Sequence, residues 1–141
     1  MKSQALVLLF AFISLSSAVG RIPEQSGKQS AVDLIRAINT AEHAYSRHQH
    51  YFANWSELSK SEELKAAIQH FHLADSGLVT AKLSDSYSSI LPGWTLRLTV
   101  SEDRKSYAVF ITDNTTEKCP LSFQSDEGGI IRQATELGCT S

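Results

Sequence analysis

The sequence predicts an α+β domain: an N-terminal amphipathic helix packed on a roughly four-stranded antiparallel sheet. Three observations predict it. Apolar residues recur every three or four positions between Val32 and Tyr45. After His72 the period changes to two. Short turn signals, Pro92-Gly93, Glu102 to Lys105 and Ser125 to Gly129, then separate the alternating runs at hairpin lengths.

Each element follows from its residues. Ser30 is a suitable helix cap, and Asp33 suits both the capping pattern and the positive end of the helix dipole. Val32, Ile35, Ile38, Ala41 and Tyr45 form one stripe, widened by Leu34, Ala37 and Ala44, so the helix is expected to run to about Arg47. A second helix is expected over Glu62 to Phe71, capped by Ser59 or Ser61, with Leu64, Ala67, Ile68 and Phe71 on one face. Between them Tyr51, Phe52, Trp55 and Leu58 make the connection too apolar for a free linker, which predicts a loop packed on the domain. Leu78 to Leu83 is a weak strand signal. Trp94, Leu96, Leu98 and Val100 alternate with Thr95, Arg97 and Thr99 in the clearest strand of the chain. Ser106 to Thr112, Cys119 to Phe123 and Ile130 to Ala134 are the expected strands after it.

The N-terminus sets the compartment. Lys2 precedes an apolar run from Ala5 to Leu15, and Ser16 to Gly20 is rich in small residues, the pattern of a cleavable signal peptide. Ser16 and Ala18 suit the two small positions before a cut, and Ala18 and Gly20 are the alternative pair that puts Arg21 first; residues 1–18 are read as the signal, 19–29 as a polar linker and 30–141 as the globular domain. The run is about half of the roughly 20 residues a membrane span needs. A secreted or periplasmic protein with no membrane span after cleavage is the expectation. The 141-residue chain carries a formal net charge of −2, which gives no electrostatic reason to expect nucleic acid as a partner.

Two cysteines, Cys119 and Cys139, suit a disulfide in an exported protein. Such a bridge closes a loop of about twenty residues and stabilises by roughly 3 kcal/mol in the chain-entropy view. Two free thiols and a metal site are the alternatives. Five histidines include the pairs His48/His50 and His70/His72. Imidazole is a favoured ligand for zinc and copper, so a small metal-binding protein or enzyme using these pairs is one functional alternative. Residues two apart diverge on a helix, however, and solvated histidines at helix ends are the simpler reading. No G-x-S-x-G elbow or phosphate-binding glycine loop occurs. Asp126 and Glu127 lie in a Gly-rich turn and read as turn chemistry before acid–base chemistry. No catalytic residue and no cofactor is expected. Tyr51, Phe52 and Trp55 are the candidate partner-binding side chains, with core packing the competing reading. A ligand pocket between helix and sheet is a further possibility for the layout.

Several stretches resemble type IV pilin-like proteins. The helix text Leu34-Ile35-Arg36-Ala37-Ile38-Asn39-Thr40-Ala41-Glu42, followed by Tyr45, is similar to the helix exit of that family. Pro92-Gly93-Trp94-Thr95-Leu96-Arg97-Leu98 and Ser106-Tyr107-Ala108-Val109 resemble its paired central strands, and Phe123 to Arg132 resembles its closing hairpin. The resemblance implies a helix laid across a four-stranded sheet, with a disulfide stapling the C-terminal region. Pilins carry their apolar helix after the prepilin cleavage site, whereas here the apolar run precedes the expected cut and polar Arg21 to Gln25 follows it. The family therefore implies a soluble relative, monomeric in isolation, that binds an envelope, pilus or secretion component and is not itself a fibre subunit.

Overall fold

The computed structural model describes residues 24–73, 88–91, 93–115 and 120–135. The expected signal peptide, the strand signal at Leu78 to Leu83 and both cysteines, with the disulfide and its C-terminal loop, lie outside the described residues. The architecture is α+β, with an N-terminal helix against an antiparallel meander.

Helix α1 spans Glu24–Gln49. It begins six residues before the Ser30 cap expected from sequence, so Glu24 to Gln29 belong to the helix and not to a linker. Gly27 lies against the Trp94 indole, where a β-carbon would sit at ordinary contact distance, 3.4 Å from Trp94 Nε1. A polar, Gly-containing stretch reads as linker, but here it continues the helix beside the sheet. The buried stripe is Ala31, Leu34, Ile35, Ala37, Ile38 and Ala41, while Val32 and Tyr45 are half-buried at its margins.

Two short helices follow. The connection expected to pack on the domain contains one helical turn, α2 (Trp55–Leu58), closed by a capping box between Asn54 and Glu57. Helix α3 (Glu62–His70) is capped by Ser61, whose Oγ accepts from the Leu64 N–H at 3.1 Å. Leu64 and Ala67 are its buried residues, and α3 packs along α1.

Among the described residues the sheet has five strands, β1 (Ser88–Leu91), β2 (Trp94–Val100), β3 (Tyr107–Asp113), β4 (Leu121–Asp126) and β5 (Arg132–Thr135), in the order β1-β2-β3-β4-β5. The four strands of the expected, roughly four-stranded sheet correspond to β2 to β5, and β1 adds a short edge strand where Ser88-Ser89 gives no alternation to read. The last two strands also start later than expected. Strand β4 extends through Ser125 and Asp126, which had been assigned to the turn, and Ile130 is exposed before β5 begins. At the β1–β2 turn Gly93 has φ of +82°, and a β-carbon there would fall 2.2 Å from Thr115 Cγ2, so only glycine fits.

Register sorts the side chains. Leu96, Ile111 and Phe123 are opposite one another, as are Leu98, Val109 and Ser125, on the face that α1 covers through β3 and β4. Arg97, Phe110, Gln124 and Arg132 form a row on the other face, with Thr95, Thr112, Ser122 and Ala134 beside it. Thus one face is core and the other is largely polar.

Candidate functional site

The densest polar arrangement lies where the segment after α1 folds back over the helix. Glu42 is fully buried in the apolar stripe of α1. Its Oε2 accepts the Ala53 N–H at 2.9 Å, while Oε1 has no hydrogen-bond partner among the described residues. Burial raises its carboxyl to about 7, against the lowering effects of the Ala53 N–H and the Arg104 charge; Glu57 adds to the rise. A carboxyl poised near neutrality is a property of acid–base catalysts. Glu42, however, has no accessible surface, so in this conformation no substrate reaches it.

Arg104 locks the same segment from the β2–β3 turn. It pairs with Glu57, donates from Nε to the Phe52 carbonyl at 3.0 Å, and lies 4.0 Å above the Tyr51 ring. Its own carbonyl accepts the Phe52 N–H at 3.0 Å, so the Phe52 backbone is held from both sides. Arg104 adopts φ of +57°, an uncommon conformation for a residue with a side chain, sustained here by these four contacts. Burial pushes the Glu57 carboxyl up, but the Arg104 hydrogen bond and the Asn54 N–H outweigh it, and the net effect is a lowered carboxyl.

A third buried network ties the helix to the sheet. Tyr107 Oη donates to Asn39 Oδ1 at 2.9 Å, and Asn39 Nδ2 donates to Ser125 Oγ at 2.8 Å. Burial also pushes the Tyr107 phenol well up. Tyr107→Phe should cost about 1–3 kcal/mol in urea unfolding, because it leaves Asn39 Oδ1 buried without a donor. A loss below about 0.5 kcal/mol would mean that the network contributes little.

The aromatic residues singled out from sequence divide. Trp55 is buried, so the core reading holds for it, although its Nε1 has no partner among the described residues. Phe52 is half-buried against Tyr107, with ring centroids 4.9 Å apart, and Tyr51 packs on Tyr45 and beneath Arg104. They line a seam within the domain and do not form one open patch.

The histidines do not converge. His48 Nδ1 lies 3.1 Å from Glu63 Oε1, His70 packs edge-on against Phe71, and His43 packs against Phe52 and Tyr107. His50 and His72 have φ of 66° and 55° just past the ends of α1 and α3, with their N–H groups bonded to Ser46 O and Gln69 O. Histidine is among the residues enriched in that left-handed conformation. Among the described residues no group of three or more His, Cys, Asp or Glu is placed to hold a metal ion. Asp126 serves its turn: Oδ1 accepts the Gly128 N–H, and Oδ2 pairs with Arg132.

The face of the sheet away from α1 holds a shallow hollow of about 240 Å³ lined by Thr95, Arg97, Phe110 and Thr112. The half-buried Phe110 ring stands among hydroxyl, amide and guanidinium groups. Sequence reading overlooked this face because its residues were taken only as the polar phase of the strands. It also overlooked Glu42, although four positions after Ile38 and three before Tyr45 is where the stripe calls for an apolar residue.

Among the described residues no helix is long and apolar enough to cross a membrane. No protein-family model matches the chain, and comparison with curated proteins and with solved structures also finds no match.

Proposed function

We propose that the chain is an exported, non-catalytic pilin-like domain that acts as a binding or assembly module in the cell envelope or outside the cell. The observation that carries this reading is the two-sidedness of the sheet. One face is committed to α1, while Arg97, Phe110 and Gln124 lie side by side on the other. An aromatic ring flanked by an arginine and an amide has the composition of a protein-docking surface, where aromatic residues and Arg are enriched. The helix-on-meander layout is consistent with the family resemblance of Leu34 to Tyr45 and of the Trp94 and Tyr107 strands. The reading includes cleavage after Ala18 and a Cys119–Cys139 bridge, both checked by intact mass with and without reduction and alkylation.

The partner is an envelope, pilus or secretion protein docking on the open face. The test is affinity capture from the native envelope fraction with the wild-type domain and with Phe110→Lys. Enrichment of a pilus or secretion component by the wild type, lost in the variant, is the expected result. No such component, or capture indifferent to the substitution, would sink the proposal.

A further inference from the structure

We propose that Glu42 is a proton-operated latch for segment 51–54: the neutral carboxyl keeps the segment docked on α1, and its ionisation favours an opened form in which the segment lifts and Glu42 reaches water. The geometry supplies both halves of such a device. Glu42 Oε2 holds the Ala53 N–H at 2.9 Å, so the carboxyl is a direct tie between helix and segment. Oε1 is buried without a partner among the described residues, so a negative charge on this carboxyl is poorly solvated while the segment is closed.

The surroundings do not offset that charge. Arg104 is the cation that acts on Glu42, but its guanidinium is engaged by Glu57, the Phe52 carbonyl and the Tyr51 ring. Glu57, on α2, opposes ionisation of Glu42. From β3, Tyr107 presents a phenol already bonded to Asn39; Asp126 and Glu127 beyond it also act on that phenol. On α1 itself His43 is packed between Phe52 and Tyr107, and Tyr45 against Tyr51. Where α3 meets α1, Glu63 pairs with His48. Opening relieves the buried charge, so deprotonation and opening are linked. The carboxyl raised to about 7 places the response between the ordinary carboxylate range and neutrality.

The latch is read by hydrogen exchange at the Ala53 amide, after division by the intrinsic rate at each pH. In the wild type, opening should increase by up to about tenfold per pH unit above pH 5 and level off near pH 7, where the closed form itself ionises. In Glu42→Gln, which keeps an acceptor for the Ala53 N–H and cannot ionise, opening should not change with pH. Glu57→Gln should raise opening at every pH and keep the slope, which separates general loosening of the segment from the latch. Carbon chemical shifts of the Glu42 carboxyl in the wild type provide a second measurement should Glu42→Gln fail to fold. Ala53 protection that is flat from pH 5 to 8, or that levels off away from the carboxyl midpoint, overturns the proposal.

Discussion

Between pH 4.5 and 7 the folded domain should lose up to about 3 kcal/mol of stability, and Glu42→Gln should abolish that loss. The sign follows from where the proton is held. Below the ordinary carboxylate range Glu42 is neutral in both folded and unfolded chains, and its contribution is fully present. As pH rises from 4.5, the unfolded chain releases a proton that the folded chain keeps up to about 7, so unfolding becomes easier. Above that pH both forms are ionised and the loss is complete. Glu57 acts in the opposite direction and in a lower window. Its lowered carboxyl contributes stability above the ordinary range, and that contribution disappears as pH falls through its folded value. The two limbs predict a maximum near the ordinary carboxylate range. Urea unfolding at pH steps from 4 to 8 tests this, and a wild-type curve flat between 5 and 7 would falsify it.

Leu58→Ala should lower stability by about 2–5 kcal/mol, as large a penalty as a truncation in the centre of the sheet. Leu58 is fully buried, although it sits in a four-residue helical turn within a connection. Truncation removes apolar area from the core and leaves a cavity that the capped turn, held by Asn54 and Glu57, collapses into only partly. Ser56→Ala, at an exposed position of the same turn, should stay within about 0.5 kcal/mol of wild type. Parallel thermal and urea unfolding of the two variants compares them directly. Equal small effects would mean that the segment rests on the surface and that its docking adds little.

These two effects bear on the same element from opposite sides. Leu58 and Trp55 anchor α2 by apolar burial, and Arg104 clamps the preceding Phe52 and α2 itself through Glu57. Glu42 then makes that docking depend on a proton. Connecting segments commonly run over the surface, where water satisfies their backbone. This one satisfies its backbone with charged side chains from elsewhere in the chain, and its closed form is therefore sensitive to their ionisation.

Much of this fold was legible in the sequence. The stripe in α1, the Ser61 cap of α3 and the alternation in β2 and β3 are local patterns, because helix and strand periods are imposed by backbone geometry and need no distant partner. The choice between Trp55 as docking surface and Trp55 as core depended on what covers it, and the structure buries it. The same limit applied to the histidine pairs. His48 next met Glu63, whereas His50 and His72 took up the left-handed turns that follow helices. Glu24 to Gln29 read as a linker because glycine and polar residues signal a break, yet they continue the helix, with Gly27 beside Trp94.

By itself, then, the sequence determined the α+β class, the principal helix, the central strands and their antiparallel order, all set by interactions among near neighbours. Only the tertiary structure decided that a glutamate occupies an apolar stripe, that an arginine in a distant turn clamps the segment beside it, and that α1 covers one face of the sheet and not the other. Those outcomes depend on residues far apart in the chain, such as Glu42 with Ala53, Arg104 with Phe52 and Asn39 with Ser125. A carboxyl changes its chemistry when water is removed from around it, and folding brings together the groups that remove it.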